Sequence, residues 1–150
     1  MDKSEHPTMG QFKGREHHYP VRVFYEDTDF TGIVYYANYL RFFERGRSSF
    51  LRLIGVEHAK LWDSDDPFAF AIRKMHTDYM KPAHIDDHLN IVTTYDSLKG
   101  ARLIISQACY RGDELLVKAY VEAAVISRSG RPRRASGWMS ELIAPYLEAH

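Results

Sequence analysis

Three acidic residues, Glu26, Asp27 and Asp29, lie in a short connection between a strand-like segment and a helix-like segment. Ionised carboxylates are rarely buried without a partner, so a hydrophobic core does not explain this cluster. Gly32 follows where the backbone has to reverse, and the helical pattern begins near Asn38, which favours the N-cap position. Because a helix start offers unpaired N–H groups and a partial positive charge, the sequence predicts a carboxylate beside an anion-friendly helix end. That arrangement is typical of acyl-transfer chemistry.

The residues around this turn form a motif with many fixed positions. They read Asp27-Thr28-Asp29-x-x-Gly32-Ile33-Val34-Tyr35-x-x-Asn38-Tyr39-x-x-Phe42-x-Glu44-x-x-Arg47. The motif resembles the signature of the hotdog-fold acyl-CoA thioesterases, in particular the 4-hydroxybenzoyl-CoA thioesterase branch and the Tol–Pal-associated branch. The resemblance extends over residues 19–132. It implies hydrolysis of an acyl-CoA to a free acid and CoA, without a cofactor or a metal.

By this resemblance, Asp29 takes the position of the catalytic aspartate, which either attacks the thioester carbonyl or activates water. The alternative for Asp29 is an acid that only complements the helix dipole. The backbone N–H of Tyr36 matches the oxyanion site. Many Tol–Pal-type relatives have a histidine there, so Tyr36 argues against a step assisted by an imidazole. The Tyr36 side chain either contacts the acyl group or only packs against its neighbours. Asp27 and Glu26 are expected to hold the turn through local hydrogen bonds.

A basic segment follows the last predicted strand, at residues 127–134. Its charged members are Arg128, Arg131, Arg133 and Arg134. Charge alone would fit a solvated basic turn. The sequence Ser129-Gly130-Arg131-Pro132-x-Arg134, however, resembles the Thr-Gly-Arg-Pro segment of the family. The resemblance therefore predicts that Arg128, Arg131 and Arg134 bind the phosphates of CoA.

Hydrophobic periodicity predicts the elements that position these residues. Residues 19–26 alternate with the period of a strand, and residues 38–54 carry one apolar helical stripe, formed by Tyr39, Phe43, Gly46, Phe50 and Leu53. A glycine inside a helix costs roughly 1 kcal/mol of propensity against alanine. Gly46 therefore indicates a close approach between this helix and a sheet.

Strand patterns follow over residues 68–79, 89–95, 103–109 and 115–126, with a slip of phase near Arg73-Lys74 that indicates a bulge. The turn signals Lys99-Gly100 and Arg111-Gly112-Asp113 predict an antiparallel meander. One long helix with several strands is an α+β pattern, and the resemblance makes it the hotdog fold, an antiparallel β-sheet wrapped around a long central helix. Residues 136–150 predict one or two short helices, interrupted at Pro145.

Length and composition set the remaining expectations. The 150 residues fit one domain, predicted over 19–150, after a polar and flexible N-terminal tail at 1–18. The formal net charge is zero, which gives no reason to expect nucleic acid as a partner. A single cysteine, Cys109, the absence of a secretory signal at residues 1–14 and the absence of a bilayer-length apolar run predict a cytoplasmic protein without a membrane span. His84 and His88 lie in a β pattern that does not support a metal site.

The resemblance also implies a homodimer or homotetramer with active sites at the dimer interface. Two other functions stay open. One is a non-catalytic module that binds acyl-CoA or an acyl carrier, which would need no carboxylate at Asp29. The other is a hydratase or dehydratase of the same fold, but those relatives generally use a histidine together with an acid.

Overall fold

The computed structural model describes residues 5–6 and 8–148, which form one seven-stranded antiparallel sheet with a long helix lying on it. The strands are β1 (Glu5–His6), β2 (Gly10–Lys13), β3 (Glu16–Arg22), β4 (Phe68–Tyr79), β5 (His88–Lys99), β6 (Arg102–Arg111) and β7 (Glu114–Ser127). Their order across the sheet is β1-β2-β3-β5-β6-β7-β4. The helices are α1 (Asn38–Leu53), α2 (His58–Trp62) and α3 (Gly137–Ile143), with single 3-10 turns at Tyr25–Asp27 and Ala144–Tyr146.

Strands β5, β6 and β7 form the predicted meander. Gly100 and Gly112, in its two connections, have φ values of 62° and 59°, which glycine adopts without the steric penalty of a Cβ. Strand β4 precedes the meander in the chain, yet it pairs with β7 at the far edge of the sheet, because the connection containing α1 carries the chain across. The register of β4 shifts between Ile72 and Lys74, so the predicted bulge is confirmed.

Helix α1 packs on the sheet through the predicted stripe. All five stripe residues are buried: Tyr39, Phe43, Gly46, Phe50 and Leu53. A Cβ built on Gly46 would lie 3.0 Å from Ile91 Cγ2 and 3.0 Å from Thr93 Oγ1, so the close approach that the glycine indicated is confirmed. Burying a phenylalanine stabilises the fold by about 1.5–3 kcal/mol. Packing of this face, rather than helix propensity, therefore holds α1 in place.

The N-terminal region differs from the predicted tail. Residues 10–13 and 16–18 of that segment belong to β2 and β3, and β3 pairs with β5, for example His18 with Val92. His17 is fully buried against Phe12 and Phe50. The sequence did not predict strands here, because histidine is normally a polar residue and because the strand that pairs with this segment lies more than 60 residues away. Residues 1–4 and 7 lie outside the described part of the chain.

The observed strand also differs from the predicted strand 19–26 at both ends. Strand β3 begins at Glu16 and stops at Arg22, and Tyr25–Asp27 is a 3-10 turn instead of strand. The N-cap of α1 is Ala37 rather than Asn38, which is the first helical residue. Asn38 uses its side chain differently, because its Nδ2 donates to the carbonyl of Asp27 at 2.8 Å. No helix in the described residues has the length and apolar character needed to cross a membrane.

Candidate active site

The acidic turn is a tight hairpin, residues 28–34, called here the Asp29 hairpin. Thr28 and Val34 pair as an isolated antiparallel bridge. Inside it, the amide of Asp29 donates to the carbonyl of Ile33 at 2.9 Å, and the amide of Gly32 donates back to the carbonyl of Asp29 at 3.1 Å. Gly32 has a φ of 85°, which favours glycine and explains the reversal predicted there. The hairpin presents the partly exposed Asp29 immediately before α1.

The carboxylate of Asp29 is held in its ionised form. Its Oδ1 accepts a hydrogen bond from the backbone N–H of Thr31 at 2.8 Å and another from the Thr31 hydroxyl at 2.5 Å. The side-chain bond from Thr31 and then the backbone bond lower the pKa of Asp29 below its ordinary value. At neutral pH the group is therefore an anion, which is the form that a nucleophile or a general base requires.

The neighbouring acid, Asp27, has a different set of contacts. Its Oδ2 accepts from the amide of Phe24 at 2.8 Å, and its carbonyl accepts from the amide of Tyr35 at 2.9 Å as well as from Asn38. The prediction that Asp27 holds the turn is confirmed by these bonds. Glu26 is exposed at the same 3-10 turn.

Tyr36 lies between the hairpin and the start of α1. Within the described residues, its backbone N–H donates to no acceptor, while its carbonyl accepts from the Tyr79 hydroxyl at 3.3 Å. Its ring contacts those of Tyr35 and Tyr79, with centroids 5.0 Å and 6.1 Å away, and 61% of the residue is exposed. The structure thus offers an unused amide at the positive end of α1. The Tyr36 ring packs and still faces solvent.

An apolar cleft of about 330 Å³ opens beside Tyr36. Its walls come from the hairpin, the start of α1 and the end of β4, and the lining residues are Ile33, Val34, Tyr36, Tyr39, Tyr79, Met80, Lys81 and Pro82. Asp29 does not line this cleft, although Ile33 and Val34 of the same hairpin do. A cleft of this size and character suits the apolar part of a small ligand.

The basic segment is tied to the rest of the fold. The guanidinium of Arg128 donates to the carbonyl of Trp62 and lies 5.3 Å from the centroid of its ring. Arg133 forms a bidentate pair with Asp66, at 2.5 Å and 3.0 Å. Arg131 and Arg134 are exposed. Of the three predicted phosphate-binding residues, Arg128 is therefore already bound to Trp62.

A basic pocket of about 340 Å³ adjoins this segment and was not predicted. Arg73 from β4, Lys99 from the end of β5 and Arg102 from the start of β6 line it together with Pro132. Two of its residues stood out in the sequence, because Arg73 lies at the predicted bulge and Lys99 at the predicted turn. The sequence alone used them only to predict backbone conformation. It did not predict a pocket, because the residues belong to separate strands that only the folded sheet brings together.

The later motif positions Glu44 and Arg47 lie elsewhere, against an interior cavity of about 140 Å³ under the middle of α1. Ser48 donates to Glu44 at 2.6 Å, and Arg47 donates to Gln107 at 3.0 Å. His58 also lines this cavity, and burial lowers its pKa. None of the lining residues of this cavity lines the cleft beside Tyr36.

Other reactive residue types do not form sites. Cys109 is buried in β6, and burial raises the pKa of its thiol to about 12, so it remains protonated and unreactive. Within the described residues, no group of three or more His, Cys, Asp or Glu is arranged to hold a metal ion.

Comparison with known proteins supplies the family. The family model of the thioesterase-like superfamily matches residues 23–144, which include the Asp29 hairpin, α1 and the basic segment. The chain belongs to this superfamily. The fold is accordingly the hotdog fold, as the sequence resemblance predicted.

Relatives in this superfamily carry related names. The acyl-CoA thioesterase YbgC of Haemophilus influenzae is 39% identical over 108 residues, which cover 72% of this chain and 79% of the relative. The acyl-CoA thioester hydrolase YbgC of one Escherichia coli strain is 39% identical over 99 residues, covering 66% and 72% of the two chains. The crystal structure of a probable thioesterase from Bartonella henselae is 42% identical, with a TM-score of 0.78 over 81% of this chain and 99% of that one.

Proposed function

We propose that the protein hydrolyses acyl-CoA thioesters to a free acid and CoA, and that Asp29 acts as the nucleophile or the general base. The observation that carries this proposal is an ionised carboxylate in a hairpin that leads directly to the unused amide of Tyr36 at the start of α1. Membership of the superfamily and the names of its relatives support the reaction class.

Two routes use this geometry. In the first, an Asp29 oxygen bonds to the thioester carbonyl carbon, the C–S bond breaks, CoA leaves as a thiolate that takes a proton, and water hydrolyses the resulting anhydride. In the second, Asp29 takes a proton from water, whose oxygen attacks the same carbon; the C–S bond then breaks, and the departing CoA thiolate takes up the proton. Either route places negative charge on the carbonyl oxygen. The N–H of Tyr36, aided by the α1 dipole, would stabilise that oxygen.

For the CoA moiety we propose Arg131 and Arg134 together with the basic pocket of Arg73, Lys99 and Arg102. Guanidinium groups bind phosphate through paired, charge-assisted hydrogen bonds, which is why a cluster of them suits a polyanionic ligand. Arg128 has a smaller part in this proposal than the sequence predicted, because its guanidinium donates to Trp62.

We also propose a homodimer or homotetramer. Strand β4 forms one edge of the sheet, with Ile72 exposed at 47%, and an open edge strand can pair with a second chain. The region of the hairpin adds exposed aromatic surface, including Phe30 at 100%. Light scattering at micromolar concentration should give two or four times the 17.4 kDa chain mass, and a mass of one chain would contradict the assembly.

Two further expectations from the sequence stay proposals. One is a single catalytic domain over residues 19–150, now with the N-terminal strands added to its sheet. The other is a cytoplasmic location, supported by a lone cysteine that is buried and free.

The reaction is tested by mixing the purified protein with acetyl-, butyryl-, hexanoyl- and benzoyl-CoA and a thiol-reactive dye. Release of thiol supports the proposal. Binding without release would identify a non-catalytic module. A change in enoyl absorbance with crotonyl-CoA, without thiol release, would identify a hydratase.

A further inference from the structure

The Asp29 hairpin is supported by a second segment, residues 81–87, between β4 and β5. Two backbone hydrogen bonds join the two. The amide of Val34 donates to the carbonyl of Ala83 at 2.9 Å, and the amide of Ile85 donates to the carbonyl of Gly32 at 3.3 Å, so that Ile33 and His84 form an antiparallel bridge pair. Because the hairpin carries Asp29, the position of segment 81–87 sets the position of the carboxylate.

Segment 81–87 is fixed in turn by side chains from the sheet and from α1. Asp87 Oδ2 accepts from the amide of His84 and from Arg111 Nη1, both at 2.8 Å. The same Nη1 donates to the carbonyl of Pro82 at 3.2 Å. The hydroxyl of Tyr39 accepts from the amide of Ala83 at 3.1 Å.

We propose that Arg111 is a positioning residue for the reaction, which through Asp87 and Pro82 fixes segment 81–87 and thereby orients the Asp29 carboxylate relative to the Tyr36 amide. This inference rests on the proposed function. Arg111 lies at the end of β6 and does not line the cleft. It therefore acts on Asp29 through segment 81–87, which it also contacts through Glu114, the partner of Lys81.

An ordinary structural role and a positioning role predict different measurements. The side chains of Arg111 and Asp87 are 31% and 23% exposed, and partly exposed ion pairs of this kind contribute little to stability. A small displacement of a reacting group, in contrast, lowers a rate strongly. A positioning residue should therefore change kcat far more than it changes the melting temperature.

The chain offers a closely matched control, Arg15. It pairs with Asp96, the two side chains are 36% and 22% exposed, and Arg15 also donates to the carbonyls of Tyr146 and Tyr95. It has the same residue type and a similar exposure, and like Arg111 it pairs with a carboxylate and donates to backbone carbonyls, while Arg111 has a second carboxylate partner in Glu114. Neither Arg15 nor Asp96 lines the cleft or the basic pocket.

The experiment compares Arg111→Gln, Arg111→Lys and Arg15→Gln with the parent protein. We expect Arg111→Gln to lower kcat at least tenfold, with KM within twofold. Arg111→Lys, which keeps a charged donor for Asp87, should recover most of the rate, and Arg15→Gln should match the parent in kcat. The two glutamine variants should melt at similar temperatures. Equal kcat in Arg111→Gln and Arg15→Gln would overturn the proposal.

Amide hydrogen exchange supplies a readout that does not depend on turnover. In Arg111→Gln, the amides of Val34 and Ile85 should exchange at least tenfold faster than in the parent. The amide of Val125, which donates to the carbonyl of Ala101, should not change. If the parent releases no thiol from any acyl-CoA, the proposed function fails, but this exchange still decides whether Arg111 orders the hairpin. Unchanged exchange at Val34 and Ile85 would reject the positioning role.

Discussion

The Asp29 hairpin and the basic segment 127–134 are both charged connections between regular elements, but the sequence predicted the contacts of the first far better than those of the second. In and beside the hairpin, the side-chain carboxylates of Asp29 and Asp27 accept hydrogen bonds from residues two or three positions away. In the basic segment, Arg128 and Arg133 bind Trp62 and Asp66, more than 60 positions earlier. Local bonding can be read from spacing, whereas distant partners depend on how the whole sheet and its helices pack.

This contrast also separates the roles of like residues. Two aspartates two positions apart have different roles, since Asp27 binds the backbone of Phe24 and Asp29 is presented before α1. The arginines of the basic segment likewise divide into two that bind another segment, Arg128 and Arg133, and two whose side chains form no hydrogen bond within the described residues, Arg131 and Arg134. The residue type is the same within the pair of aspartates and within the group of arginines, so the contacts of each side chain determine its role.

The largest expected effect comes from Asp29→Asn. Asparagine has nearly the same shape, but it can neither attack a carbonyl nor accept a proton. We expect kcat to fall by about 10²–10⁴-fold, the range for removal of a general base, with KM and folding little changed. Steady-state kinetics on the best acyl-CoA of the panel measures this.

Asp27→Asn is the matched control for that substitution. It should affect the melting temperature more than the chemistry, because Asp27 binds the backbone of Phe24. A fully active Asp29→Asn with a folded but inactive Asp27→Asn would show that the roles of the two acids are reversed.

The second prediction concerns the exposed arginines of the basic segment. Replacing Arg131 and Arg134 together by alanine should raise KM for acyl-CoA roughly tenfold, because charge-assisted bonds to phosphate are lost. The salt dependence of KM should weaken at the same time, since fewer ionic contacts remain to be screened. Arg128→Ala should leave KM within twofold, given its bonds to Trp62. Equal KM changes in all variants would contradict the distinction between Arg128, which binds Trp62, and the pair Arg131 and Arg134.

The fold shows the same division between local and distant information. The stripe of α1, the bulge of β4 and the meander follow from periodicity and turn residues, and all were predicted. The strand formed by Glu16–Arg22 was assigned to a tail over its first half, because pairing with β5 and the burial of His17 depend on residues far along the chain. The basic pocket of Arg73, Lys99 and Arg102 was missed for that reason too.

The smallest expected effect tests the local bonding of the hairpin itself, through Thr31→Val. Valine removes the hydroxyl bond to Asp29 and keeps the bond from the backbone N–H of residue 31. The hydroxyl bond is the largest cause of the lowered pKa of Asp29, so that pKa should rise toward its ordinary value. Catalysis requires the ionised carboxylate, and the acid limb of the kcat/KM profile should therefore move to higher pH.

At neutral pH Asp29 is ionised in both proteins, so the rates of Thr31→Val and the parent should be close there, and they should diverge only at acidic pH. The sign follows from linkage: a depressed carboxyl pKa favours the ionised form, and this advantage is lost as the pH falls through the native pKa. A pH profile of kcat/KM measures the shift. An acid limb that stays in place, together with a normal rate at pH 7, would show that the hydroxyl of Thr31 does not govern Asp29. The backbone bonds of the hairpin would then set the pKa of Asp29, and the contrast with the basic segment would rest on the Asp29→Asn result alone.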